Sequence, residues 1–218
     1  VVVSKPIKIT SFLNLLFHPC IRMIVVAQHS HKKGLQFIQN QHPNEYYEIL
    51  DVIDAVKACT LPKKVSEEKD MKGRLLYSPE ALNDAFKSEF ERRGWKKKKV
   101  WLQVQIPQTG QTHKMPREMD YVKNGVGVEV QFGKYSFMVY NICAKMTIFN
   151  KHGIIDCGVE IVPMKSMADN MSTGVSYYEM VVADLTHRGE ADIDIPVVVI
   201  GIDAECSLNG QLRLDKTV

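Results

Sequence analysis

The sequence lacks the features that identify several large classes of protein. Its five cysteines are widely spaced and include no Cys-x-x-Cys pair, so they fit neither a disulfide framework nor a zinc knuckle. No repeat or low-complexity segment occurs. The amino-terminal apolar run is far shorter than the roughly 18 residues that span a bilayer. We therefore expect scattered thiols in a reducing cytoplasm and no association with a membrane.

The chain also lacks a strong excess of charge of either sign. Its 28 lysines and arginines against 25 aspartates and glutamates give a formal net charge of +3, which does not by itself identify a nucleic-acid-binding protein. The apolar fraction of 45% and the charged fraction of 24% are those of an ordinary globular protein. Composition thus excludes disordered and collagen-like chains, but it indicates no activity.

The amino-terminal segment differs from the remainder of the chain. Lys5 and Lys8 precede a short apolar stretch, as in a signal peptide, but no small-residue cleavage pattern follows. Met23 opens a run with the apolar, β-branched character of a strand. We expect residues 1–22 to be an extension upstream of a true start at Met23, and residues 23–218 to form a single domain.

Apolar periodicity predicts an α/β fold in which strands and helices alternate around one mixed sheet. Helices are predicted after Pro43, between the N-cap Ser78 and Gly94, and at 137–149 and 177–187. Loops are predicted at 29–34, 62–72 and 103–115. Strands are predicted at 23–27, 119–122, 126–132, 157–163 and 196–202.

One predicted hairpin carries the residues with the clearest chemical potential. An Asn-Gly pair at 124–125 separates two β-rich runs and favours a tight turn. This turn can return Glu129 beside Asp120, with Gln131 on the same face as Glu129. Two carboxylates and a main-chain carbonyl, such as that of Val130, suit Mg²⁺. A solvated hairpin would show the same charges, but Glu129 lies in an otherwise apolar strand, where a carboxylate needs a partner, a metal or a raised pKa.

Several motifs, in order along the chain, resemble one group of nucleases. The sequence resembles the type II restriction endonucleases of the BglII/BstYI group, the BstYI branch most of all, over roughly 23–203. Residues 1–22 have no counterpart, and the segment 97–117 and the carboxyl-terminal tail match poorly. The similar stretches are LLYSPEALN (75–83), GWK (94–96), EVQFGKYSF (129–137, preceded by Asp120), DCGVEIVPMK (156–165) and SYYE (176–179).

The resemblance implies a restriction-endonuclease-like fold of the PD-(D/E)xK class, with a mixed β-sheet flanked by helices. It implies that Asp120, Glu129 and Gln131 are catalytic and that Mg²⁺ is bound by Asp120, Glu129 and the Val130 carbonyl. Gln131 stands where most members of the wider fold carry lysine. Glutamine can orient a water but cannot act as a base, so activation of the nucleophile would depend on the metal or on a substrate phosphate.

Two groups of residues are expected to contact DNA. Six basic residues lie within 92–99, and lysines there can make sequence-independent phosphate contacts, although a solvated loop has the same composition. By resemblance, the residue that follows the catalytic strand and a loop near 172–174 would contact base edges. The residues predicted to contact DNA are Lys96, Lys97, Lys98, Lys134, Ser172 and Thr173.

The predicted function is that of a Mg²⁺-dependent endonuclease that acts as a homodimer, because two-fold symmetric DNA sites are read by two-fold symmetric proteins. The resemblance implies cleavage of double-stranded DNA at a GATC core (RGATCY-like), 5′-phosphate ends and a cognate methyltransferase in the same cytoplasm. Two alternatives stay open: a DNA-binding module without catalysis, and a metal-dependent phosphoesterase for a smaller substrate. The intact acidic residues count against the first, and the lack of a phosphate-cradling glycine loop counts against the second.

Overall fold

The computed structural model describes residues 22–205. The strands are β1 (Met23–His31), β2 (Lys63–Val65), β3 (Leu75–Tyr77), β4 (Lys96–Gln105), β5 (Thr112–Lys123), β6 (Val126–Val130), β7 (Cys157–Pro163) and β8 (Val197–Ala204). The α-helices are α1 (Gly34–Gln41), α2 (Pro43–Ala55), α3 (Pro79–Arg92), α4 (Tyr135–Tyr140), α5 (Met146–Lys151), α6 (Lys165–Ala168) and α7 (Tyr178–Arg188). A π-helical segment, Asn141–Lys145, joins α4 to α5.

Six strands form one mixed sheet in the order β1-β8-β7-β6-β5-β4, while β2 and β3 pair separately. Strands β6, β7 and β8 run parallel, whereas β1, β5 and β4 join by antiparallel pairing. Helices α1, α2 and α3 contribute to the core on one face, and α4, α5 and α7 to the core on the other. The predicted α/β class, a mixed sheet flanked by helices, is confirmed.

Most predicted elements occur where the apolar periodicity indicated them. The predicted strands and helices are found, with shifts of a few residues at their ends. Helix α3 begins with the expected cap, because Ser78 Oγ accepts the Ala81 N–H at 3.3 Å. Gly94 follows the end of this helix with a φ of +83°, the left-handed conformation that glycine adopts without strain.

The predicted loop at 103–115 is wrong, because most of these residues belong to a long hairpin of β4 and β5. The pairing runs from Lys96 opposite Val122 to Gln105 opposite Thr112. Nearly all side chains of β4 are exposed, so their polar composition resembles that of a loop. Ladder hydrogen bonds, rather than buried side chains, keep these residues extended. Polar composition also hid the end of β1, which continues to His31 beyond its predicted end, and the strand β2, which lies within the predicted loop 62–72.

Three other expectations have different outcomes. Residues 1–21 lie outside the described residues, so the amino-terminal extension and the single domain 23–218 stay predictions. Cys143 and Cys157 are free thiols, but Cys59 takes part in a disulfide, contrary to expectation, because spacing along a chain does not reveal which cysteines approach in the fold. No helix within residues 22–205 is both long and apolar enough to cross a membrane.

Candidate active site

The hairpin of β5 and β6 brings the two predicted carboxylates together. Its turn at 124–125 has φ values of +44° and +83°, as a tight two-residue hairpin turn requires. The ladder ends where Tyr121 pairs with Val128. Beyond that point, the Asp120 N–H donates to Glu129 Oε1 at 3.3 Å. Asp120 and Glu129, which we call the carboxylate pair, thus meet where the β5–β6 ladder has ended.

Glu129 is an almost completely buried acid. It is 3% exposed, in a strand whose other residues are all buried. Lys145 Nζ lies 2.9 Å from Glu129 Oε2. Burial, and then the negative charge of Asp120, raise the pKa of Glu129 to about 8, while Lys145 opposes this shift. A cation beside the carboxylate pair would likewise favour the ionised form of Glu129.

A third carboxyl group lies next to Glu129, and sequence reasoning missed it. Glu160 is the register partner of Glu129 on the parallel strand β7 and is fully buried. Asn141 Nδ2 donates to Glu160 Oε1 at 3.1 Å, whereas Oε2 has no hydrogen-bond partner in the described structure. Burial, and then the charge of Glu129, raise the pKa of Glu160 well above its ordinary value. Glu160 therefore keeps its proton to a higher pH than an exposed carboxyl group.

Signals for the missed residues were present in the sequence. Glu160 is an acid within an apolar strand, the same pattern that identified Glu129. Asn141 and Lys145 are polar residues four positions apart on a predicted helix, so both can lie on one helix face.

The other two predicted residues follow Glu129 directly. Hydrogen-bonding groups alternate between the two sides of a strand, so the Val130 carbonyl points toward β5, where the ladder has already ended. The Gln131 N–H donates to Ile161 O at 2.9 Å, which fixes its backbone against β7. Its side chain lies against Gly133, where a Cβ atom would be only 2.8 Å from Gln131 Nε2. Glycine at 133 thus leaves room for the Gln131 amide.

The predicted magnesium ligands fit a hard cation by their chemistry. Within residues 22–205, no three His, Cys, Asp or Glu side chains are grouped to hold a metal ion. An ion at the carboxylate pair would therefore depend on main-chain oxygen and water as well. Mg²⁺ suits such a set, because it usually binds through one or two carboxylates and keeps several waters. The raised pKa of Glu129 is also consistent with negative charge that a cation would compensate.

The backbone at Lys134 is paired with the residues that follow the predicted base-contacting loop. Lys134, which follows β6, forms an isolated β-bridge with Val175. The Ser176 N–H and hydroxyl both donate to Gly133 O, at 2.9 and 3.0 Å. These bonds join the segment after β6 to Val175 and Ser176, which follow the loop at 172–174.

The segment between α2 and α3 holds loop 172–174 from a second side. Lys64 Nζ hydrogen-bonds to Ser172 Oγ. Glu68 Oε2 accepts the N–H of the exposed Thr173 at 2.9 Å, and this bond is the main reason that the pKa of Glu68 is lowered. A cleft of about 1140 Å³ opens beside the loop and is bordered by Arg74. Lys64 and Glu68 were not predicted as part of any site.

The three lysines predicted to contact phosphates lie in strand β4 rather than in a loop. Lys96, Lys97 and Lys98 are all exposed. Lys98 pairs with Met119, the residue before Asp120. The carboxylate pair is carried by β5 and β6. In the order of the sheet, the lysines of β4 therefore lie on one side of the pair, and the segments that follow β6 and β7 lie on the other.

The chain is similar to one family of known proteins. The family described as restriction endonuclease BglII/BglIII matches residues 26–202. Type II restriction enzyme BglII of Bacillus subtilis is 26% identical over 157 residues, which cover 70% of this chain and 67% of that enzyme. The crystal structures of BglII complexed with a DNA 16-mer and of free BglII match with TM-scores of 0.63 and 0.56, each at 20% identity. They cover 80% of this chain, and 74% and 77% of their own chains are matched. The structural likeness bears on the fold, and the family match covers both members of the carboxylate pair.

Proposed function

Because the chain belongs to the restriction endonuclease BglII/BglIII family and is a site-specific type II deoxyribonuclease, we propose that it cuts both strands of a palindromic DNA site. The proposed site has a GATC core flanked by a purine and a pyrimidine (RGATCY), and the products carry 5′-phosphate ends. The observation that carries the proposed cleavage is the meeting of Asp120 with Glu129 beyond the end of the β5–β6 ladder. The GATC core rests on the sequence resemblance.

We propose that Asp120, Glu129 and the Val130 carbonyl hold Mg²⁺. When bound, the ion supplies a lowered pKa for an attached water and stabilises the leaving oxygen. Asp120 and Glu129 provide the negative oxygen atoms, and Val130 provides a neutral one. The Gln131 amide orients the attacking water but cannot accept its proton, so the proton passes to solvent or to a substrate phosphate.

DNA recognition is divided between the two sides of the carboxylate pair. On one side, Lys96, Lys97 and Lys98 contact phosphates and position the duplex without reading its sequence. On the other side, Lys134, Ser172 and Thr173 contact base edges in the major groove, where lysine donates to guanine and hydroxyl groups serve as donors or acceptors. The bonds that join residues 133–134 to Val175 and Ser176, directly after the loop at 172–174, support the action of Lys134 and this loop as one unit.

We further propose that the enzyme acts as a homodimer, because a palindrome presents the same contacts twice around a two-fold axis. It would act in the cytoplasm beside a methyltransferase that protects the same site.

The test is digestion of unmethylated plasmid DNA by the purified full chain with Mg²⁺, followed by sequencing of the fragment ends. We expect discrete fragments that end at one palindrome and can be ligated without prior phosphorylation. Asp120→Asn should give no fragments. Asp51→Asn, which changes an exposed acid on α2, is the matched control and should cut like the wild type.

Other results would identify the alternatives. Retarded DNA in a gel, without cleavage by the wild type, would indicate a binding module that has lost catalysis. Hydrolysis of p-nitrophenyl phosphate without any effect on DNA would indicate a phosphoesterase for small substrates. Cleavage at a palindrome without GATC would contradict the proposed site but not the nuclease.

A further inference from the structure

Gln131 stands where most members of the wider fold carry lysine, and its amide is uncharged. The catalytic strand proposed above therefore carries no basic side chain. We propose that Lys145, on the helical segment packed against the sheet, is the positioning residue that supplies this positive charge. Its ammonium group fixes the orientation of Glu129 and balances the charge of the carboxylate pair. The inference rests on the proposed nuclease function and concerns how the same site works.

Lys145 and Glu129 form a buried ion pair. Lys145 Nζ lies 2.9 Å from Glu129 Oε2, and the two side chains are 13% and 3% exposed. The Asp120 N–H donates to the other carboxylate oxygen, Oε1. One oxygen of Glu129 is thus oriented by a backbone donor and the other by a full positive charge. Hydrogen bonds between such charged groups are among the strongest in proteins, so Glu129 has little freedom to rotate.

The π-helical segment directs this lysine to the sheet. Its two end residues, Asn141 and Lys145, bind Glu160 and Glu129, which are register partners on neighbouring strands. Both carboxyl groups therefore receive a donor from the helical segment. The donor to Glu160 is a neutral amide, and the donor to Glu129 is a charged ammonium group. π-Helical turns are rare and occur frequently at functional sites, because they change the phase of a helix at one point.

Glycine in β7 leaves room for a side chain of the helical segment. A Cβ atom at Gly158 would be only 2.3 Å from the sulfur of Met146, the residue that follows Lys145. A side chain at 158 would therefore displace the Met146 side chain from this position.

Stability alone does not account for this ion pair. Burying two charges is costly, and a buried pair is often no more stabilising than apolar residues of the same volume. The pair lies instead where the proposed chemistry needs charge, beside Asp120 and two residues before Gln131. A role in the site explains both its position and its burial.

The experiment measures single-turnover cleavage of a duplex that carries the mapped site, over a range of Mg²⁺ concentrations. Binding of the duplex in Ca²⁺ and the melting temperature are measured in parallel. The variants are Lys145→Met, which keeps the length but removes the charge, Lys145→Arg, which keeps the charge, and Lys145→Met combined with Gln131→Lys. Lys151→Met, an exposed lysine at the end of α5, is the matched control.

We expect Lys145→Met to cut about 100-fold more slowly, the loss typical when one preorganised electrostatic group is removed. It should also need more Mg²⁺, while duplex binding stays unchanged. Lys145→Arg should retain most of the rate. Lys145→Met combined with Gln131→Lys should cut at least about tenfold faster than Lys145→Met alone, because the strand then supplies the missing positive charge. Lys151→Met should cut like the wild type.

Three results would overturn the inference while leaving the nuclease proposal intact. The first is cleavage by Lys145→Met at the wild-type rate. The second is a slow Lys145→Met that the lysine at 131 does not improve. The third is failure of Lys145→Met to fold together with failure of Lys145→Gln, the polar variant made in its place, which would assign Lys145 a structural role only. A wild-type chain that does not cut DNA at all would instead contradict the proposed function.

Discussion

Glu129 and Glu160 lie side by side on neighbouring parallel strands, yet only Glu129 is bound by a lysine. Glu160 receives a neutral amide donor from Asn141 and has no exposed surface. Glu129 has the second carboxylate, Asp120, across the end of the hairpin. Two acids on the same sheet face thus have different environments, and we expect them to differ in function: Glu129 serves the site, and Glu160 supports it from the neighbouring strand.

Replacement of Glu160 by glutamine should remove a pH-dependent destabilisation. The unfolded chain releases this proton near the ordinary pKa of 4.5, whereas burial raises the pKa in the folded protein. Between these values the folded state binds more protons, so wild-type stability falls as pH rises. Glu160→Gln keeps an oxygen that accepts the Asn141 amide. It has no proton to release, so its stability does not fall in this way as pH rises.

We expect the melting temperatures of Glu160→Gln and the wild type to converge near pH 4.5 and to separate by pH 8, by roughly 2–4 °C per kcal/mol of difference. Glu190→Gln, an exposed position, is the control and should follow the wild type. A constant difference between Glu160→Gln and the wild type from pH 4.5 to 8 would contradict a raised pKa at Glu160.

The lysines of β4 should contribute unequally to DNA binding, because Glu118 already pairs with some of them. Its oxygens lie 3.3 Å from Lys97 Nζ and 2.6 Å from Lys99 Nζ, whereas Lys98 has no ion-pair partner among residues 22–205. Lys98→Ala should therefore weaken binding to all sequences and reduce the slope of log K against log salt by about 0.9, the value for one phosphate contact. Glu118→Gln should strengthen binding at low salt.

Fluorescence anisotropy with a labelled duplex in Ca²⁺, over a series of salt concentrations, measures both effects. Lys87→Ala, which removes an exposed lysine from α3, is the control for net charge. An equal slope for Lys98→Ala and the wild type would exclude a phosphate contact at this residue.

Glu68→Gln should affect sequence discrimination more than stability. Glu68 is the acceptor for the Thr173 N–H, and its charge strengthens that bond. With a weaker acceptor, loop 172–174 loses one of its fixed points. We expect the cleavage ratio between the mapped site and single-base variants to fall by about tenfold, within the roughly 1–3 kcal/mol that one base contact contributes.

The adjacent variant Glu67→Gln, which changes an exposed acid, should leave that cleavage ratio unchanged. Equal discrimination by Glu68→Gln and the wild type would show that the loop does not depend on Glu68. A matching drop in melting temperature would instead indicate a general loss of stability.

The sequence predicted the parts of the site that depend on local rules. The Asn-Gly turn fixes which residues of β5 and β6 lie opposite each other, so the approach of Glu129 to Asp120 follows from the hairpin. Alternation along β6 then separates Glu129 from the apolar face. These relations involve neighbours in one hairpin, and they are confirmed.

The parts that were missed depend on contacts between distant segments. The register of β6 with β7, which sets Glu160 beside Glu129, is fixed by a long crossover through α4 and α5. The four-residue spacing of Asn141 and Lys145 predicts one helix face, but which strand residues that face contacts depends on how the helical segment packs on the sheet. The bonds of Lys64 and Glu68 to loop 172–174 span more than 100 residues of chain, and no local pattern signals them.

We propose that Asp120 and Glu129 together form the catalytic pair of acids. Single-turnover cleavage in Mg²⁺ of a duplex that carries the mapped site, compared between the wild type and Glu129→Gln, tests this proposal directly. Duplex binding in Ca²⁺ serves as the control for folding and DNA contact. We predict that Glu129→Gln binds the duplex like the wild type but cuts it at least about 100-fold more slowly. Cleavage by Glu129→Gln at the wild-type rate would contradict the assignment of this carboxylate to the active site.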